Sequence, residues 1–146
     1  VKSAGIHVIG NYIFGLPDDN DQTMKETLDM ALELNCEMSN FYSAMAYPGS
    51  QLYEMAIQNG WPLPETWLGY SQHAFETLPL PTRHVSGGEV LGFRDAAWKA
   101  YFTDQNYLNL ISKKFGTKTT RHIQDMTEIN LSRKYAVLPA SERVLQ

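Results

Sequence analysis

The sequence predicts an α/β fold in which a parallel βαβα unit closes one side of an α/β barrel or open sheet, followed by an α-helical C-terminal extension. Three observations carry this prediction. Two β-rich runs flank a stretch of helical periodicity, capping or breaker residues mark each joint, and from about residue 86 onward the apolar residues recur at helical spacing. The order strand, helix, strand with short joints is that of a parallel unit with a crossover helix. Two parallel strands alone do not make a stable sheet, and parallel sheets are normally covered on both faces, so further strands are expected from sequence ahead of Val1.

The first run, Gly5 to Gly15, reads GIHVIGNYIFG and is closed by the breakers Gly15 and Pro17. Its even positions Ile6, Val8, Tyr12 and Phe14 are large and apolar, while the odd positions His7, Ile9, Asn11, Ile13 and Gly15 make a mixed face. The cluster Asp18-Asp19-Asn20-Asp21 suits a helix start, with Asn20 or Asp21 as cap and acids at the positive end of the dipole. Met24, Leu28, Ala31 and Leu32 then recur at helical spacing as far as Asn35. A second apolar run, Met38 to Tyr47, ends at Pro48-Gly49-Ser50, and Gln51 to Asn59 predicts a short helix ending at Gly60. Between Trp61 and Val85 periodicity fails. Four prolines forbid a long helix there, yet Trp61, Trp67, Tyr70, Phe75, Leu78 and Leu80 are too apolar for a solvated linker. Ser86-Gly87-Gly88-Glu89 reads as a capping box for a helix to about Phe102, with Val90, Phe93, Ala97 and Tyr101 on one side. Helices over about 105–115, stopped by Gly116, and about 119–135 follow, and the last ten residues are expected to fray.

These readings divide the chain into 1–60, the βαβα portion, 61–85, a covering loop rich in proline and aromatic residues, and 86–146, the helical extension. Charge follows the same division. The 146 residues carry a formal net charge of −4, but residues 1–82 hold two bases against ten acids, −8, and residues 83–146 ten bases against six acids, +4. Length alone suits one domain, which if compact would bury roughly 68–70% of its unfolded surface. A single cysteine, Cys36, excludes an internal disulfide, a four-cysteine zinc site and a cluster held by three or four of the chain's own thiolates. Cys36 follows a helix end, has no partner base, and reads as a small core residue. His7, His73, His84 and His122 show no metal-ligand spacing. A secretory leader and an apolar run of ~18 residues are both missing, which leaves a cytoplasmic protein without a membrane partner as the expectation.

The stretch GNYIFGLPDDNDQTMKETLDMALEL followed by NFYSAMAYPGSQLYEMA resembles the late strands of radical S-adenosylmethionine (SAM) enzymes, in particular the subgroup with a cobalamin-binding domain ahead of the radical SAM domain. The family phrase Gly-Leu-Pro-x-x-Thr-x-x-Thr is matched at Gly15, Leu16 and Pro17, with Asn20 in place of the first threonine and Thr23 close behind. The next strand of the family commonly ends in Tyr-Pro-Gly-Thr or Ser with an aromatic shortly after, matched by Tyr47, Pro48, Gly49, Ser50 and Tyr53. The resemblance covers 5–60 strongly and continues more loosely to about 116.

What the resemblance implies is the last two strands of a partial (β/α) TIM-like barrel. In the family a [4Fe–4S] cluster on a CxxxCxxC loop cleaves SAM to a 5′-deoxyadenosyl radical. That motif is absent, so no metal ligand is assigned to this chain. The family's loose GxIxGxxE pattern, whose apolar residue packs on adenine, aligns on Asn11, Ile13, Gly15 and Asp18, with Asn11 and Asp18 as departures. The strand end Ser43, Ala44 and Met45 corresponds to backbone that approaches adenine in the family. Trp67, Tyr70, Gln72 and His73 are candidates to line a substrate opening, against the alternative of loop packing. The resulting expectation is the C-terminal portion of a radical SAM enzyme. It would use SAM, a cluster and cobalamin supplied through the rest of the parent chain, and would act on a small-molecule substrate, with methyl transfer ahead of other radical reactions. The competing reading is a non-catalytic α/β-plus-helical module docking a protein or nucleic acid through Lys113, Lys114, Lys118, Arg121, Arg133 and Lys134. Asp125 and Glu128 interrupt that cluster, so a solvated face or a patch that docks on the acidic first part explains it more economically.

Overall fold

In the computed structural model, which describes residues 1–137, helices cover one face of a two-stranded parallel sheet. Strand β1 spans Ile9–Phe14 and β2 spans Met38–Ser43, in register from Ile9 opposite Met38 to Phe14 opposite Ser43. Helix α1 (Asp21–Leu34) is the crossover. The predicted βαβ order is therefore present, and α2 (Gln51–Gln58) follows it, capped by the Ser50 hydroxyl. The first strand is shorter than the run that predicted it. Gly5 takes φ 74 to close a 3-10 turn over Lys2–Ala4, which leaves Ile6 outside the strand and 58% exposed.

Local signals set the helix ends. The Asn20 side chain accepts from the Gln22 and Thr23 N–H groups, while the Thr23 hydroxyl accepts from the Asn20 N–H, a reciprocal cap. At the other end Asn35 adopts the left-handed region (φ 43) and closes α1. Ser86 and Glu89 form the expected box at the start of α3 (Gly87–Thr103). Helices α4 (Gln105–Phe115) and α5 (Thr117–Thr127) complete the layer, with Asp104 capping α4.

Alternation decides which face of the sheet is buried. Tyr12 and Phe14 of β1 and Ser39, Phe41 and Ser43 of β2 point at the helices. Phe14 and Phe41 lie between Met24, Leu28 and Ala31 of α1 and Val90, Phe93, Ala97 and Tyr101 of α3. The Phe14 ring meets Phe93 edge-on at 5.1 Å and Phe41 meets Tyr101 at 5.4 Å. Truncating either phenylalanine to alanine in such a core costs about 3–5 kcal/mol. Cys36 is buried, as its place at a helix end suggested, and its carbonyl accepts from the Tyr101 hydroxyl at 2.7 Å.

Helix α5 ends at Thr127, well short of the predicted residue 135. Residues 128–137 instead run back along α3, with the Lys134 N–H bonded to Phe75 O and the Val137 N–H to Gly88 O. Arg133 explains the departure. Its side chain is 3% exposed and reaches Asp95 and three groups of the covering loop, contacts that outweigh helical propensity over these few residues. The fraying expected of the last ten residues lies, from 138 onward, outside the described residues. Among the described residues no helix is long and apolar enough to cross a membrane.

The acidic and basic parts of the chain meet at Glu37. Its carboxylate, 4% exposed, is bound by the Lys114 ammonium and the Val8 N–H (2.9 Å), with His7 Nδ1 at 3.5 Å. Lys114 first, then Val8, hold the Glu37 carboxyl down to about 2 against the opposing effect of burial. A depressed carboxyl stabilises the fold fully above its ordinary range and loses that contribution as pH falls toward its folded value. Urea midpoints measured from pH 6 to about pH 2.5 should therefore show a loss of about 1–2 kcal/mol that Glu37→Gln lacks. Equal acid sensitivity of the two proteins would refute this assignment.

Candidate functional site

The strand ends that the sequence singles out are organised by two side chains that mimic backbone. After β1 the chain turns through Gly15-Leu16-Pro17. The Asp19 carboxylate accepts from the Gly15 N–H (3.0 Å) and Leu16 N–H (2.9 Å) with one oxygen and from the Thr23 hydroxyl (2.8 Å) with the other. Gly15 has φ 82, and a Cβ there would lie 2.4 Å from a Val90 methyl. Only glycine satisfies both the left-handed backbone and this approach of α3.

At the end of β2 the Gln72 amide does the work of a neighbouring strand. Its oxygen accepts from the Ser43 N–H (2.9 Å) and its nitrogen donates to the Ser43 carbonyl (3.0 Å). One step back along the same edge, Arg94 Nε donates to the Phe41 carbonyl at 2.8 Å. The outer edge of β2 is thus closed by side chains. The outer edge of β1, where Ile9, Asn11 and Ile13 direct their backbone groups, pairs with no strand among the described residues.

The sequence-predicted residues separate into three places. Asn11 and Ile13 lie on the face of the sheet away from the helices, with Ile13 49% exposed and the Asn40 amide donating to the Asn11 side chain at 3.0 Å. Ile9 and Met38 share that face and are also exposed. Gly15, expected on the same face, is buried instead, because the strand has ended and the turn drives it beneath Val90. Ser43, Ala44 and Met45 are all buried. The Ala44 N–H bonds Phe14 O at 2.8 Å and its carbonyl accepts from the Leu80 N–H at 3.2 Å, so these backbone groups are already engaged.

Trp67, Tyr70, Gln72 and His73 are not gathered round one opening. Trp67 is 75% exposed beside the buried Tyr70, with ring centroids 5.6 Å apart, and Tyr70 stacks in turn with Tyr47. Gln72 closes the β2 edge. The ring of His73 meets Arg94 at 3.2 Å and faces a cavity on the far side of α3 from the core. Burial, then the positive charges of Arg94 and Arg133, lower the pKa of His73 and keep it neutral. Neither Arg94 nor Asp95 is singled out by the sequence, and Arg133, grouped there with the basic docking cluster, is instead buried against Asp95. The available sign is the position of Arg94, four residues after Val90 and three before Ala97, which sets a charge on the apolar face of α3.

Some of the basic residues of the second part are used within the fold, while Lys113, Lys118 and Arg121 are exposed. Lys114 binds Glu37, Arg133 binds Asp95, and Arg83 pairs with Asp18 at 2.6 Å on the surface.

Fold and site together define a mixed α/β protein whose described residues form a two-stranded parallel sheet and five helices, with one face of the sheet left open. No protein-family model and no solved structure matches the sequence. Over 70 residues the chain is 34% identical to an uncharacterized methyltransferase of Pyrococcus horikoshii, a stretch that covers 48% of this chain and 15% of that protein. The chain thus matches a small part of that relative's length.

Replacing Gln72 by alanine leaves the Ser43 N–H and C=O without partners in a buried setting. The expected loss is about 2–3 kcal/mol in urea unfolding, together with fast hydrogen exchange at the Ser43 amide. Unchanged protection of that amide would show that Gln72 does not close the edge.

Proposed function

We propose that this chain is the closing portion of a radical SAM enzyme, where it completes the SAM pocket and shapes the substrate mouth for methyl transfer. The observation that carries the reading is the asymmetry of the sheet. Helices bury one face, the other presents Ile9, Asn11, Ile13 and Met38 to solvent, β2 is sealed at its edge and β1 is not. Strands from the remainder of the parent chain added at β1 would turn the open face into the lining of a barrel. Active sites of such barrels lie at the C-terminal ends of the strands, and Ile13 and Asn11 point inward near that end of β1. Similarity to a methyltransferase supports SAM as methyl donor.

In this reading Ile13 packs on adenine and Asn11, held by Asn40, offers an amide to the ligand. Gly15, Ser43, Ala44 and Met45 act through position. The Gly15 N–H is bound by Asp19, the Ser43 N–H and C=O by Gln72, and the Ala44 N–H and C=O by Phe14 and Leu80, which fixes the rim that leads to Met45. Trp67, packed on Tyr70, stands at the substrate mouth.

An iron–sulfur cluster does not fit this chain. Cys36 is its single cysteine and is buried, and the described residues contain no group of three or more His, Cys, Asp or Glu able to hold a metal. In this reading the remainder of the parent chain supplies both cluster and cobalamin.

Burying an isoleucine side chain against a ligand is worth about 2 kcal/mol, roughly thirtyfold in affinity. Ile13→Asp in the parent enzyme should weaken SAM binding by at least that factor in calorimetry, whereas Ile9→Asp, on the same face at the far end of β1, should change it little. Equal effects, or none, would remove Ile13 from the pocket. This chain alone, reconstituted anaerobically with iron and sulfide, should form no stoichiometric cluster and cleave no SAM. The reading also requires a CxxxCxxC motif upstream in the gene, and an initiator methionine directly before Val1 would end it.

A further inference from the structure

His73 of the covering loop, α3, α5 and residues 129–131 line an open cavity of about 270 Å³ on the other side of α3 from the sheet. Its walls are apolar, made chiefly by Trp98, Met126, Ile129 and Leu131, but its floor is charged. There the Asp95 carboxylate accepts from Arg133 Nε and Nη2 (both 2.9 Å) and from Arg94 Nη1 (2.7 Å). Both guanidiniums are nearly inaccessible, 4% and 3% exposed. One carboxylate therefore faces two buried cations. His73 adds no negative charge, since its Nε2 accepts from Arg94 Nη2 and the ring is neutral. Buried charge without a counter-charge is unfavourable, so the cluster is short of one anion.

The two arginines differ in a way that locates the deficit. Arg133 has partners for all five of its N–H groups: Asp95 twice, and Ala74 O, Thr77 Oγ1 and Gln72 O once each. Arg94 has partners for three, namely Phe41 O, Asp95 and His73, which leaves one N–H on each terminal nitrogen. Arg94 is the one that lines the cavity, and Lys99, with no acidic partner among the described residues, stands exposed on the same wall.

We propose that this cavity binds a small organic carboxylate, its two oxygens on the spare Arg94 N–H groups and the Lys99 ammonium, its apolar body against Trp98, Met126 and Leu131. A two-oxygen anion matches the paired donors of a guanidinium. Inorganic phosphate would satisfy the charge but leave the apolar walls wet, and a neutral hydrocarbon would leave the donors unpaired. The volume falls just below the roughly 300–1,000 Å³ of typical ligand pockets, which limits the occupant to about the size of an aromatic acid. The site is separate from the open face of the sheet and does not depend on the SAM reading.

The test is a titration of the full chain with phenylacetate, followed through the indole N–H signals of its tryptophans. Saturable movement of the Trp98 signal alone is expected, with phenylacetamide at least about tenfold weaker and phosphate without effect. Lys99→Gln, on the surface, should weaken phenylacetate about threefold or more, and Leu131→Trp, which fills the cavity, should abolish binding while the Trp61 and Trp67 signals stay in place. Equal binding of acid and amide, no saturable Trp98 shift up to about 10 mM, or undiminished binding in Leu131→Trp would each overturn the proposal.

Discussion

The rest of the structure depends on how the outer edge of β2 is closed. A two-stranded parallel sheet exposes backbone donors and acceptors along both outer edges, and each unpaired group that is buried costs about 1–3 kcal/mol. Here Gln72 supplies both bonds that a neighbouring strand would give Ser43, and Arg94 satisfies the Phe41 carbonyl. These two side chains come from the covering loop and from α3. Closing that end of the edge therefore fixes the loop against the sheet and ties α3 to β2.

Charge does the long-range part of the same assembly. The −8 of the first 82 residues and the +4 of the remainder meet within the fold at several points. Glu37 at the entry to β2 binds Lys114 of α4, Asp18 after β1 binds Arg83, and Arg133 reaches carbonyls of the covering loop. Because Glu37 and Arg133 are almost fully buried, these contacts are less screened than surface pairs and hold the helical extension to the sheet.

Caps, stops and strand alternation are legible in the sequence, whereas contacts between distant residues are not. The Asn20 and Ser86–Glu89 caps, the Asn35 stop and the alternation that buries Tyr12 and Phe14 all act within a few residues, so spacing reveals them. Gln72 and Ser43 are 29 residues apart, Arg94 and Phe41 are 53, and Arg133 and Gln72 are 61, and nothing in composition marks such pairs. The same blindness accounts for the misjudged end of α5, where a tertiary contact of Arg133 overrides local helical pattern. It also accounts for Gly15, whose parity assigned it to the open face although the turn fixed by Asp19 carries it under Val90. Of the candidate site, the placement of Asn11 and Ile13 on the open face is legible, because alternation alone decides it.

Two adjacent loop residues serve both sides of the molecule. The side chain of Gln72 holds the end of β2, next to the proposed SAM pocket, while the ring of His73 lies against Arg94 at the cavity behind α3. Linkage between two sites requires an element with two arrangements of comparable stability. The geometry of this loop argues against one. Gln72 is bound at its amide by Ser43 and at its carbonyl by Arg133, Ala74 O and Thr77 Oγ1 are bound by the same guanidinium, and every N–H of Arg133 is already engaged. Shifting the loop would break several of these bonds at once with no alternative partner to accept them. The loop therefore acts as a fixed support common to both sites, and a ligand in the cavity would stiffen the edge of the sheet without altering the shape of the open face.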